Sequence, residues 1–287
     1  MTARASTAAQ LLAELTDRFA DAGIASPRAD ARWLVRHALR WSAADLTLSA
    51  DRPLSDDQVS AVALLADRRA RREPLQLVLG GTSFRGHPLK LRPGVFIPRP
   101  ETELMVELVL AIAPAGGAVV ETCSGSGAIA CAIAVERPDL RVMAIDSDPA
   151  AVDLTTENAV DLGAKVDVRR GELLDPVPAA LHGRVDVVVA NPPYLAADEV
   201  ADLEPEVAAW DPPAALVAGP TGHEVSDGLI ASAPRYLTPG GCLVLELDER
   251  RVPETAIRAR EAGLVSVQIH VDLASRPRFV SACRPTA

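Results

Sequence analysis

From residue 6 to residue 72 the hydrophobic and polar positions read as helices separated by short breaks. Ser26 followed by Pro27 supplies an N-cap and a proline at the first helical position, and Ser55 with Gln58 has capping-box spacing ahead of Val59, Val62 and Leu65. The segment predicts a small helical domain. Arg68, Arg69, Arg71 and Arg72 end its last helix, where the helix dipole favours cations, and they are expected to lie in solvent. Residues 80–100, GGTSFRGHPLKLRPGVFIPRP, alternate apolar with polar around Arg85-Gly86 and predict a hairpin joining two domains.

Beyond that point the period changes. Residues 118–121 read as a strand leading into a Gly-rich turn and a helix; 141–146 is a second strand, 149–162 a helix and 165–169 a third strand. Residues 185–190 form a fourth strand, and 242–247, after the turn TPGG, a fifth; 264–271 and 278–283 are expected to pair as a terminal hairpin. Strand alternating with helix predicts an α/β domain whose mostly parallel sheet is covered on both faces. Ligands in such a sheet bind at the carboxyl ends of the strands, near the point where strand order reverses. That rule gathers three features into one crevice: the Gly-rich turn, Asp146, and Asn191 to Tyr194.

Composition narrows the possibilities. The chain has 287 residues, 48% of them hydrophobic, enough for one large domain and a small one. A net charge of −10 argues against a protein that gains affinity by neutralising nucleic-acid phosphates. Cys123, Cys131, Cys242 and Cys283 lack C-x-x-C spacing and sit in strand-like or helix-like segments, so neither a metal site nor a disulfide is expected, and a reducing cytoplasm fits. No apolar run has the length of a membrane span, and MTARAST leads into an amphipathic pattern rather than a signal-peptide core.

The chemistry is carried by two stretches. In VVETCSGSGAIACAIA an acid, Glu121, ends a strand just before Gly125 and Gly127, which let a ligand approach the backbone closely. The dinucleotide fingerprint G-x-G-x-x-G is absent, so no pyrophosphate is called for. An acid before the glycines repels phosphate but suits an ammonium, while Asp146 at the next strand end suits a ribose diol. A cationic amino acid joined to a nucleoside describes S-adenosylmethionine. In VVVANPPYLA the Asn191 side-chain oxygen and the proline carbonyls are acceptors on a backbone stiffened by Pro192 and Pro193. They suit both N–H bonds of a planar NH₂ group, and the Tyr194 ring suits its flat face.

These motifs resemble the HemK/PrmC family of methyltransferases, which modify the glutamine amide of the release-factor GGQ motif; EPLQLVLGGTSFRGHPLKLRPGVFIPRPETE is similar to its linker hairpin. The resemblance covers essentially the whole chain. It implies an N-terminal helical domain that grips a protein substrate (residues 1–76), a hairpin linker (77–100) and a class I, Rossmann-like methyltransferase domain (101–287). It further implies that Glu121 with Ser124, Gly125, Ser126 and Gly127 meets the methionine part of S-adenosylmethionine. Asp146 and Ser147 then meet the ribose, Glu172 and Leu173 the adenine, and Asn191, Pro192, Pro193 and Tyr194 the target amide. S-adenosylhomocysteine is the implied product, with Asn191, Pro192 and Tyr194 at the chemistry. Where the family's turn has its first glycine this chain has Cys123, and where the family reads E-x-G it has Glu246-Leu247-Asp248, both carboxylates being candidates to border the acceptor. If position 123 needs a positive φ, its side chain costs roughly 1–2 kcal/mol. Asp248 also keeps open a small cationic acceptor such as free arginine, whose guanidinium attracts carboxylates. A DNA amino group is a weaker expectation, given the acidic balance, as is a non-catalytic module that only binds S-adenosylmethionine.

Overall fold

The structure, a computed structural model, describes residues 6–286. Residues 1–5, part of the stretch MTARAST, lie outside the described residues. The chain divides into two compact units, residues 1–81 and 82–287.

The first unit contains α1 (Ala8–Asp21), α2 (Pro27–Leu39), α3 (Ala43–Leu48), α4 (Asp56–Ala70) and α5 (Leu75–Leu79). Phe19, Leu34, Val35, Leu46 and Val62 form its core. Reciprocal capping boxes start α1 (Thr7 with Gln10), α3 (Ser42 with Asp45) and α4 (Ser55 with Gln58), each satisfying backbone donors that the first helical turn leaves unpaired. The arginines at the end of α4 do not all lie in solvent. Arg69 is buried and its Nε donates to Asp30 Oδ2 at 2.7 Å, while Arg68 pairs with Glu73 and Arg72 Nη1 donates to the Gly23 carbonyl at 2.6 Å. The dipole argument sees only α4; the acids and carbonyls that claim these cations come from other parts of the unit.

The second unit opens with a hairpin of β1 (Gly81–Phe84) and β2 (His87–Lys90), turning at Arg85-Gly86. Residues 91–99 are not strand, so the paired part is shorter than expected. After α6 (Glu103–Ile112) come β3 (Ala118–Thr122), α7 (Ala128–Glu136), β4 (Arg141–Asp146), α8 (Pro149–Leu162), β5 (Val166–Arg170) and β6 (Val185–Ala190). An excursion follows, with β7 (Leu195–Ala196), α9 (Pro205–Trp210), α10 (Pro213–Leu216) and β8 (Val217–Gly219). The chain then finishes with α11 (Glu224–Tyr236), β9 (Leu237–Glu246), α12 (Val252–Glu261), β10 (Val265–Val271) and β11 (Pro277–Cys283).

Among the described residues the main sheet runs β5-β4-β3-β6-β9-β11-β10, with β11 alone running antiparallel to the rest. Alternate residues feed opposite faces. Val120, Val188 and Leu243 pack with Leu229, Ala233 and Ala256 of α11 and α12, whereas Val119, Val187 and Val244 pack with Met105, Val109 and Ile133 of α6 and α7. Coverage of both faces explains why the valine runs carry no polar alternation. The TPGG stretch is a bulge inside β9 rather than a turn ahead of it: Leu237 still pairs with Val185 and Cys242 with Val187.

The antiparallel register of β9 and β11 overturns the cysteine expectation. Cys242 stands directly opposite Cys283, with Cα atoms 4.0 Å apart, and the two form a disulfide. Their 41-residue separation carries no spacing motif; only the strand pairing brings the thiols together. Among the described residues no helix is long and apolar enough to cross a membrane.

Candidate active site

Strand order reverses at β3, whose neighbours are β4 and β6. Parallel pairing sets Thr122 level with Ile145 and Ala190, so the chain leaves three adjacent strands at one edge of the sheet. A cavity of about 630 Å³ opens there. It is lined by Glu121, Ser124, Gly125, Ser126, Asp146, Ser147, Glu172, Leu173, Asn191, Pro193, Tyr194 and Asp248. Gly127, Pro192 and Glu246 are not among its lining residues. Gly127 supports the turn from behind, Pro192 is buried, and Glu246 is 0% exposed.

The turn after β3 is held by α8. Thr155 Oγ1 donates to the Gly125 carbonyl (3.1 Å), and Asn158 Nδ2 donates to the carbonyls of Ser126 (2.9 Å) and Lys90 (3.1 Å), tying turn, helix and hairpin together. Gly127 has φ +76°, and a Cβ there would stand 2.7 Å from Thr155 Cγ2, so both conformation and space exclude a side chain. Cys123 has φ 58°, the left-handed conformation. A residue with a Cβ therefore bears a cost of roughly 1–2 kcal/mol at this turn position.

Glu121 is 1% exposed, and its Oε2 accepts the Ala130 N–H at 2.8 Å from the first turn of α7. Burial pushes its carboxyl up to about 8, the Ala130 N–H opposes this, and Asp146 adds to it; no cation contributes. Asp146 accepts the Gly125 N–H (2.8 Å) and the Asp148 N–H (3.0 Å), so one side chain joins the turn after β3 to the end of β4. Burial raises its carboxyl as well, against those two N–H groups. The Ser147 carbonyl accepts Arg170 Nε at 3.2 Å. Glu172 is exposed, and Leu173 presents its carbonyl to the Thr122 hydroxyl at 3.0 Å. Two carboxylates and a glycine-lined backbone beside a cavity of this size match a cationic amino acid joined to a nucleoside, with the buried Glu121 carboxyl still lacking a counter-charge.

At the other end of the cavity the backbone of the turn after β6 is fixed from several sides. The Tyr194 N–H donates to the Leu216 carbonyl (3.2 Å), and the Tyr194 carbonyl accepts Arg251 Nε (3.2 Å). Arg251 also pairs with Glu199, whose carboxylate accepts the Ala196 N–H. A Cβ on Gly222 would stand 2.6 Å from the Tyr194 carbonyl, so that glycine closes over the turn. Among the described residues the Asn191 side-chain amide makes no hydrogen bond, which leaves its polar atoms available to whatever enters the cavity.

Several lining residues were not expected from sequence. Arg99 stacks on the Phe96 ring (4.8 Å) and donates to Asp211 Oδ2 (2.5 Å), joining the segment before α6 to the excursion after β6. Arg250 donates to Asp248 Oδ1 through Nε (2.7 Å) and its own N–H (3.0 Å). Burial works against the Asp248 carboxylate, but Arg250 holds it below its ordinary range. Arg99 belongs to the hairpin stretch of residues 80–100, but nothing local to it names Asp211 as its partner.

Replacing Asp146 with alanine is expected to raise the dissociation constant for S-adenosylmethionine by about tenfold or more, the scale of a lost hydrogen bond to a charged group. Calorimetry with the cofactor checks this, and an unchanged constant would count against the ribose contact expected of Asp146.

Residues 10–80 match the family model described as the PrmC N-terminal domain, and residues 89–208 match the methyltransferase small domain. The release factor glutamine methyltransferase of Mycolicibacterium smegmatis is 39% identical over 272 residues, covering 94% of this chain and 95% of its own length. That of Cereibacter sphaeroides is 36% identical over 282 residues, covering 98% and 99%. A methyltransferase structure from Pyrococcus furiosus, 17% identical, superposes with a TM-score of 0.53 over 81% of this chain and 100% of its own, a likeness of fold.

Proposed function

The chain belongs to the release factor glutamine methyltransferase (HemK/PrmC) family, and from that premise we propose that it methylates the side-chain amide of the GGQ glutamine in a peptide-chain release factor. The observation that carries the reading is the placement of Asn191, Pro193 and Tyr194 on the same cavity as Glu121 and Asp146. When bound, S-adenosylmethionine supplies an electrophilic methyl group on a sulfonium centre.

In this reading Glu121, as the carboxylate, faces the ammonium of the methionine part, with Ser124, Gly125 and Ser126 along it and Gly127 keeping the turn close. Asp146 and Ser147 hold the ribose, and Glu172 and Leu173 border the adenine. The Asn191 side-chain oxygen and a backbone carbonyl of the proline-stiffened turn accept the two N–H bonds of the glutamine amide, fixing the plane of that group and hence the direction of its nitrogen lone pair. Tyr194 and Pro193 flank the amide and exclude water. The first unit, supported by its match to the PrmC N-terminal domain, serves as the substrate-binding domain, with the hairpin as linker to the methyltransferase domain.

A free arginine acceptor draws less support. Asp248, the reason to consider it, lines the cavity, but Arg250 already meets its charge. Incubation with labelled S-adenosylmethionine and, in parallel, a release factor, free arginine and duplex DNA separates the readings. Label is expected on the release factor, at the GGQ glutamine; label on arginine or DNA alone would sink the proposal.

A further inference from the structure

The excursion after β6 closes one side of the cavity without an apolar anchor of its own. Leu203, Val207, Ala215 and Leu216 line the cavity, yet of residues 197–220, all of them described, Asp211 alone is buried. The anchor is thus a carboxylate. It stands at the end of α9 with its side chain 3% exposed, and its Oδ2 accepts Arg99 Nη2 at 2.5 Å, while Oδ1 is buried without a hydrogen-bond partner among the described residues. Arg99 lines the cavity too, and its guanidinium lies over the Phe96 ring, 4.8 Å from the ring centre. Phe96 in turn borders the Gly-rich turn: a Cβ on Gly125 would stand 3.9 Å from Phe96 Cβ. On the other side Leu216, at the end of α10, accepts the Tyr194 N–H through its carbonyl at 3.2 Å. One cation therefore joins the wall beside the Gly-rich turn to the wall beside the Asn191–Tyr194 corner.

A carboxylate buried without a cation is costly, whereas an apolar side chain of similar volume would hold the segment without that cost. An anchor of this kind makes the place of the wall depend on Arg99. The planar guanidinium suits both of its contacts at once, edge to the carboxylate and face to the ring. We propose that Arg99 and Asp211 are positioning residues: their pair holds the excursion against the segment that carries Phe96, and so keeps the acceptor end of the cavity aligned with the cofactor end. Methyl transfer needs donor and acceptor in line, and a displacement of about 1 Å between the two walls costs turnover rather than cofactor affinity. The inference rests on the acceptor role proposed above for the Asn191–Tyr194 corner.

The test compares Arg99→Gln, which removes the charge, with Arg99→Lys, which keeps it. At saturating cofactor and release factor, Arg99→Gln is expected to lower kcat about tenfold or more with the cofactor dissociation constant unchanged. Arg99→Lys still meets Asp211 but loses the planar stack, and should lower kcat about threefold or less. Equal losses in the two variants, or no loss in either, would overturn the proposal. A second measurement needs no acceptor. In hydrogen exchange followed by mass spectrometry, the backbone amides of residues 205–216 should exchange about tenfold faster in Arg99→Gln, while those of α11 keep their rate. Unchanged exchange over 205–216 would show that the pair does not hold the segment. Arg99→Met with Asp211→Asn leaves no charge buried, so its folding is not burdened by an unpaired carboxylate. It should show the same loss of kcat and the same faster exchange, and native values in it would also overturn the proposal. Absence of release-factor methylation by the unaltered protein would instead count against the proposed function, leaving the exchange test standing.

Discussion

Replacing Asn191 with alanine is expected to lower turnover by about 10²-fold or more, the scale of removing one positioned polar group, while cofactor affinity stays nearly intact. The buried valines of β6 leave little freedom in where residue 191 emerges. From there the amide lines the cavity without a hydrogen bond to any described residue, so alanine disturbs no internal bond and stability should hardly change. What is lost is the acceptor that orients the incoming NH₂ group, an interaction needed for alignment. Single-turnover rates, measured beside cofactor calorimetry and thermal unfolding, check this. Unchanged turnover would refute the role; a large loss of thermal stability would move Asn191 from the chemistry to the scaffold.

A large effect on stability is expected at Glu121. Its ordinary carboxyl value of 4.5 rises to about 8 in the folded chain, chiefly through burial. Between those values the folded state keeps a proton that the unfolded state has released. The stability this proton contributes is therefore present in full at low pH and is lost as pH rises through about 8, with a slope of up to about 1.4 kcal/mol per pH unit. Asp146, also raised by burial, acts in the same direction. In the cofactor-free protein, unfolding free energy should fall more steeply from about pH 5 to pH 8 than it does in Glu121→Gln. Glutamine keeps an oxygen for the Ala130 N–H but cannot ionise, so the difference between the two curves isolates residue 121. Parallel curves would show that the Glu121 carboxyl is not held neutral.

Much of the domain plan was legible in the chain. The strands 141–146 and 185–190 and the helix 149–162 coincide with the observed elements, because each is bounded by local chemistry: Asp148 capping before Pro149, Gly163 after Leu162, Asn191-Pro192 after the valines. A positive φ at Cys123 was only a condition raised by the resemblance, and the structure meets it with φ 58°. Residues whose significance lies in a distant partner were not legible. Arg99 acquires a role from Asp211, Arg278 from Glu246, and Arg250 from its fold back onto Asp248. The E-x-G departure illustrates the difference. Glu246 and Asp248 are two residues apart and were taken together as acceptor candidates. Glu246 is the last residue of β9 and lies in the interior beside Arg278, whereas Asp248 comes after the strand has ended and lines the cavity.

By itself, the amino-acid sequence determined the helical first unit, the alternating strands and helices, the turn that keeps a ligand close to the backbone, and the rigid Asn191–Tyr194 corner. Hydrophobic period, capping and proline chemistry act over a few residues and are written where they act. Tertiary structure alone decided that Cys242 and Cys283 are bonded, that Arg69 is an interior cation, and that Arg278 meets Glu246 in the interior. Each of those depends on which elements become neighbours and in what register, and no local stretch of the chain carries that information.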